Sequence, residues 1–238
     1  MFEGYVASSI LGKSIEAGQI HVNLIDIRDF AQDKHKTCDD APYGGGPGML
    51  LKPEPLSRAI ESVPQAVERI IYMTPSGRLF DQKYANELAR CESLMVICGH
   101  YEGIDQRIID LYVTDEISIG SYVLFSGEVA AMVLMDAVVR LAEGIVKPES
   151  LEEESFQWGV LEYPQYTRPQ RFKGIEVPAV LLSGHHAKIR EWRLRKGIER
   201  TLKYRPDMLR SENLDIEQKA ILNELLQEEH DHGSDKGS

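Results

Sequence analysis

RIIYMTPSGRLFDQKYANELARCESLMVICGHYEGID, residues 69–105, carries the alternation that decides the fold. Residues 69–74 read as an apolar strand, ended by a Pro75-Ser76-Gly77 turn. Residues 81–90 read as a helix, and the uniformly apolar 94–98 as a strand buried on both faces. Strand, helix and strand in that order need a crossover, so the two strands are parallel and the helix lies on the sheet. Working outward, 53–62 reads as a further helix, and 114–124 as two short extended stretches around Gly120. Residues 127–141 form a continuous helix in which Val129, Met132, Val133, Met135 and Val138 supply apolar positions. Ahead of these, residues 2–13 read as an amphipathic helix with Tyr5, Ile10 and Leu11 among its apolar positions. Residues 20–27 read as a strand with Ile20, Val22 and Leu24 on one face, Ile25 and Ile27 on the other. The expected fold class is α/β, a mostly parallel sheet with helices on both faces. Residues 142–165 read as an acidic, polar linker, followed by helices over 187–203 and 216–229 and a disordered tail over 230–238.

Composition narrows the function classes. The 238 residues are 42% hydrophobic and 27% charged, with no apolar run of membrane-span length and no secretion signal at the start. Cys38, Cys91 and Cys98 are odd in number and lack metal-ligand spacing, which points to free thiols in a reducing cytoplasm. The net charge of −11 conceals an asymmetry: residues 165–210 hold twelve Lys/Arg against four Asp/Glu, leaving fifteen basic and thirty-four acidic residues elsewhere. An acidic body with one basic segment suits local phosphate contact rather than general polyanion binding.

Three sets of residues carry candidate chemistry. DDAPYGGGPGM, residues 39–49, has four glycines in five positions, framed by Pro42 and Pro47. Such a backbone comes close to a ligand, yet it matches neither a dinucleotide fingerprint nor a phosphate loop. The loops at 74–77, 99–105 and 119–128 follow the strands, and ligands in open α/β sheets sit outside the carboxyl ends of strands. The Ser183-Gly184 start of the helix bearing Lys188, Arg190 and Arg193 suits anions. His185 and His186 are adjacent, which is not ligand spacing. Trp192 reads as a packing residue and Cys98 as a buried strand residue rather than a nucleophile.

Taken in order, DDAPYGGGPGM, GHYEGID, DEISIGSYVL, YTRP and GHHAKIREW resemble the bacterial tRNA (guanine-N1)-methyltransferase family, TrmD. The resemblance implies a SPOUT-type sheet with a deep trefoil knot and a small, mainly helical C-terminal domain. It divides the chain into a knotted cofactor-binding domain over 1–141, a linker over 142–165, a helical tRNA-binding domain over 166–229 and a tail over 230–238. It also implies one more strand and a Phe-Pro-Glu turn ahead of Met1.

The activity it implies is methylation of N1 of guanosine 37, 3′ of the anticodon, with S-adenosylmethionine as methyl donor. Mg2+ would arrive with the substrate, and no metal is held by the protein. The partners are the tRNA anticodon stem-loop and a second copy of the chain, in a cytoplasmic homodimer with shared active sites. By the same resemblance Pro75, Gly77, Gly99, Glu102, Ile119, Tyr122, Leu124 and Gly127 hold the cofactor. Glu154 is the general base and Arg140 contacts guanine O6. His35, Asp39, Pro47 and Glu162 face the substrate, and Lys188, Arg190 and Arg193 face the tRNA. Glu154 and Glu162 stand where the family has aspartates. Ser121, Ser126, Ala130 and Gln165 replace its aspartate, glycine, proline and histidine. A second reading follows from those departures, a family member that binds tRNA or cofactor without turnover.

Overall fold

The structure is a computed structural model describing residues 1–146, 155–156, 159–210, 212 and 214–234. It divides into two compact units, Met1–Val146 and Lys147–Ser238. The first unit opens on α1 (Phe2–Val6) and α2 (Ser9–Glu16). A two-stranded ladder, β1 (Asp39–Asp40) with β2 (Leu50–Leu51), closes the glycine-rich loop. Then come α3 (Pro53–Glu61), β3 (Arg69–Leu79), α4 (Gln82–Leu88), β4 (Leu94–Cys98), α5 (Gln106–Tyr112), β5 (Asp115–Ser118) and α6 (Gly127–Val139).

The sheet has the order β4-β3-β5, with both pairings parallel. Successive side chains of β3 point to opposite faces, which gives the unit two cores. Ile71 and Met73 pack with Ile117 against Tyr84, Ala85 and Leu88 of α4 and Ala130, Ala131, Leu134 and Val138 of α6. On the other face Tyr72 and Ile97 pack with Leu56 and Ile60 of α3, Ile108 of α5, and Cys38, Leu51 and Ile104. The expected parallel α/β sheet with helices on both faces is therefore present. Asp115 pins one end of it: its carboxylate accepts from Tyr84 Oη at 2.6 Å, Thr114 Oγ1 at 2.6 Å and Arg69 Nη1 at 3.1 Å.

The second unit holds the hairpin β6 (Arg171–Phe172) with β7 (Ile175–Glu176) and a short helix α7 (Ala179–Leu182). Two long helices follow, α8 (His186–Tyr204) and α9 (Ile216–Ser234). Leu194, Ile198, Leu214, Ile221 and Leu225 form its core together with Val160. Among the described residues, no helix is long and apolar enough to cross a membrane.

Six expectations need correction. The opening helix is two helices, because Ser8 takes an extended conformation as the N-cap of α2 while its hydroxyl donates back to Tyr5 O at 2.8 Å. Serine competes with the helix for backbone bonds in this way. Residues 20–27 form no strand: among the described residues nothing pairs with them, and Leu24 and Ile25 stay exposed. Alternation marks a face, but a strand also needs a ladder partner. The Pro75 turn lies within β3 rather than after it. Both Met73 and Arg78 register with Ile117, so residues 74–77 bulge out and the strand resumes. The second extended stretch, after Gly120, is a loop.

The linker also ends sooner than expected. Val160 is buried in the second core, and Leu161 N–H donates to Thr201 Oγ1 at 2.8 Å. Finally, α9 runs through Ser234, past the expected tail start at His230, since each residue added to an existing helix gains a hydrogen bond. Residues 235–238 lie outside the described residues.

Ile71 is fully buried between both neighbouring strands, so Ile71→Ala removes about 2–5 kcal/mol of stability. A shift of the urea midpoint toward lower denaturant measures it, and an unchanged midpoint contradicts this packing.

Candidate functional site

The carboxyl ends of β4 and β5 lead into two of the three loops that the sequence singles out, and the other, residues 74–77, is the bulge within β3. The loops are joined by contacts at which a side chain would not fit. Gly127 N–H donates to Gly99 O at 2.8 Å, and a Cβ on Gly127 would stand 2.8 Å from Gly99 N and 3.0 Å from Cys98 Cα. His100 and Ser126 form an antiparallel bridge beside this contact. The bulge of β3 is fixed at Gly77, where a Cβ would fall 2.4 Å from Ile117 N. Within the third loop, Tyr122 Oη donates to Ile119 O at 3.1 Å. Gly99, Glu102, Ile119, Tyr122 and Leu124 thus fall on the loops after β4 and β5, Gly127 opens α6, and Pro75 and Gly77 lie in the bulge of β3. Tyr122, Leu124 and the Glu102 side chain remain open to solvent.

The glycine-rich loop is fastened to this cluster by backbone bonds. Glu102 N–H donates to Met49 O at 3.1 Å, Leu51 N–H to Gly103 O at 3.0 Å, and Asp105 N–H to Leu51 O at 3.1 Å. The Glu102 side chain lies against Gly48. Asp39 sits in β1 opposite Leu51, and Pro47 is exposed on the loop between β1 and β2. His35 is exposed on a turn organised by Asp33, whose carboxylate accepts from His35 N–H at 3.0 Å and Thr37 N–H at 2.9 Å. The hydrogen bonds from Thr37 hold the Asp33 carboxyl below its ordinary range.

One hydrogen-bonded pair at the loop junction went unread in the sequence. His100 Nε2 stands 2.8 Å from Glu128 Oε1. Glu128 lies in the first turn of α6, where the helix dipole favours an acid. Burial raises its pKa, but hydrogen bonds from Ser126, the Glu128 backbone and His100 outweigh that and leave it below the ordinary value. The signal available was an acid in a helix first turn, with a histidine in the neighbouring loop. Cys98, beneath the pair, has its thiol pushed up to about 12 by burial and by the Glu128 charge, so it stays protonated and unreactive.

Arg140 caps the C-terminal end of α6 and is engaged by other groups there. In the second unit, Glu162 Oε1 accepts from Ser155 N–H at 3.2 Å and its own N–H donates to Ser155 Oγ at 3.1 Å. Lys188 is exposed in the first turn of α8. Arg190 is held by Glu217 through two bonds of 3.0 and 2.8 Å, so part of its charge is already answered. The Arg193 guanidinium lies 4.9 Å from the Tyr163 ring centroid. Trp192 meets Tyr166 with ring centroids 6.3 Å apart, as a packing residue does. Glu154 lies outside the described residues.

Residues 1–211 match the family model described as tRNA (Guanine-1)-methyltransferase TrmD. Relatives named tRNA (guanine-N(1)-)-methyltransferase align over most of their length. That of Treponema denticola is 60% identical over 87% of this chain and 85% of its own. That of Brevibacillus brevis is 54% identical over 96% and 95%. That of Dictyoglomus turgidum is 49% identical over 96% and 93%.

Because the folded-state pKa of Glu128 is depressed, its contribution to stability is full above the unfolded carboxylate value. It is lost as pH falls through the folded value. The urea midpoint of Glu128→Gln should therefore fall less on acidification than that of the unsubstituted protein. Parallel acid limbs contradict the pairing.

Proposed function

The chain belongs to the tRNA (guanine-1)-methyltransferase family TrmD, and we propose that it methylates N1 of guanosine 37, the nucleotide 3′ of the anticodon. The observation that carries this reading is the joining of the loops after β4 and β5 at Gly99 and Gly127, with the glycine-rich loop fastened to the loop after β4. These residues fit S-adenosylmethionine as methyl donor. The cluster offers exposed apolar surface at Tyr122 and Leu124 for a nucleobase, and the Glu102 carboxylate for a hydroxyl or a positive sulfur. When bound, S-adenosylmethionine supplies an electrophilic methyl group on that sulfur. On this reading residues 1–141 form a SPOUT-type knotted domain, and residues 166–229 bind tRNA.

The chain's own residues have two tasks. Guanine N1 carries a proton at neutral pH, so a carboxylate must take it, the role assigned to Glu154. Negative charge then grows on O6, where the Arg140 guanidinium stabilises it. Glu162, which accepts from the backbone N–H of Ser155, is assigned to hold the guanine. Positioning does the rest.

The helix itself supports a second copy in the site. Gly127 and Arg140 lie at opposite ends of the 13-residue α6, about 20 Å apart at the helical rise and beyond the reach of an arginine side chain. A homodimer brings Arg140 of one copy to the loops of another. Val129 and Val133, one turn apart on α6, are 44% and 46% exposed, and Phe125 and Val123 beside them are fully open. Any Mg2+ is taken to come with the tRNA. A tRNA substrate places the reaction in the cytoplasm.

Label from S-adenosylmethionine should appear in a transcript with guanosines at 36 and 37, mapped to guanine N1, and not in one with adenosine at 37. Glu154→Gln should lower the rate about 10²–10⁴-fold, and Arg140→Ala about 10²–10³-fold. A folded protein that labels neither transcript contradicts the reading.

A further inference from the structure

We propose that the β6–β7 hairpin, Arg171–Glu176, is a tRNA contact in which Phe172 stacks on an unpaired base and Lys173 meets a phosphate. The inference rests on the tRNA reading above and adds a binding surface to it.

The starting point is where the positive charge of the second unit goes. Three cations of α8, and Arg205 just after it, are answered within the unit. Arg195 meets Glu199, Glu224 and Glu228 at 3.5, 3.3 and 2.6 Å, and Lys196 meets Glu199 at 2.5 Å. Arg190 meets Glu217 and Arg205 meets Asp207, at 2.8 and 2.7 Å. The twelve-to-four excess of residues 165–210 therefore overstates the charge offered to a polyanion, because α9 supplies acids to the same face. Lys173 is different: it is exposed and makes no ion pair among the described residues.

The hairpin's shape matches that charge. Phe172 and Ile175 are directly paired across the ladder and so share a face. They are 63% and 72% exposed, and no residue of the hairpin is buried. The opposite face carries Arg171 and Glu176, 3.8 Å apart. Lys173 and Gly174 both have positive φ, 49° and 85°, the two-residue turn whose twist suits a tight hairpin. Lys173 Nζ stands 5.6 Å from the Phe172 ring centroid. A short, well-defined ribbon thus holds an exposed aromatic ring with an exposed cation over it. It contributes nothing to the core of its own unit. Unpaired RNA bases stack on such rings while adjacent cations take the phosphates. The anticodon loop next to the target guanosine supplies both.

The test compares the full-length protein with Phe172→Ala, Phe172→Tyr and Lys173→Ala. It measures binding to the 36/37-guanosine transcript across a salt series, together with binding of S-adenosylmethionine, thermal midpoint and sedimentation. Phe172→Ala should weaken tRNA binding about fivefold or more, and Phe172→Tyr should restore it. Lys173→Ala should lower the slope of log affinity against log salt by about 1. Cofactor affinity, thermal midpoint and oligomeric state should not move. The proposal is overturned if Phe172→Ala binds tRNA like the unsubstituted protein. It is equally overturned if the substitution changes the oligomeric state instead, which would make the face a contact between copies. If the unsubstituted protein methylates the transcript, either result removes the hairpin alone. An unsubstituted protein that neither binds nor methylates tRNA removes the functional reading with it.

Discussion

Where Gly127 N–H meets Gly99 O at 2.8 Å, the end of β4 and the start of α6 come closer than any side chain would allow. The rest of the first unit is arranged around that contact. Parallel pairing in the order β4-β3-β5 brings three strand ends to one edge. Packing of Leu134 and Val138 against Ile71 and Ile117 sets the line of α6, so its first residue arrives at the loop after β4. The His100–Glu128 pair closes the junction from the side. Met49 and Leu51 tie the glycine-rich loop to the same loop after β4. The loop after β4, the start of α6 and the glycine-rich loop are therefore neighbours through backbone bonds, which do not depend on side-chain identity.

The second unit shows a different economy of charge. Its helices answer part of one another's charge, Arg190 meeting Glu217 and Arg195 meeting Glu224 and Glu228. That is consistent with an acidic protein of net charge −11 that meets a polyanion at selected points. Long-range attraction is weak in such a molecule, so local contacts carry the recognition.

Much of this was legible in the sequence. The apolar strands 69–74 and 94–98 and the helices 53–62, 81–90 and 127–141 appear close to where they were expected, because periodicity and caps are local signals. Asp81, for example, caps α4 by accepting from Tyr84 N–H. What was not legible depended on partners distant in sequence. Residues 20–27 have the alternation of a strand but no ladder, and residues 74–77 have a turn composition yet interrupt a strand that resumes. Val160 looked like linker and is core, because Leu194 and Ile198 cover it. At the candidate site the loops were visible from their glycines and motifs. The Glu128 partner of His100 and the Glu217 partner of Arg190 were not, being 28 and 27 residues away across a fold that had yet to be known.

The account stands or falls on the Gly99–Gly127 contact being the floor of the cofactor site, and calorimetric titration of Gly127→Ala with S-adenosylmethionine tests it most directly. Overpacking of this kind costs about 1–3 kcal/mol, and tenfold in affinity corresponds to about 1.4 kcal/mol. The account predicts a loss of about tenfold or more in cofactor affinity, in a protein whose circular dichroism and cooperative unfolding remain those of a folded chain. Unchanged affinity in that folded variant would contradict it and move the cofactor site elsewhere.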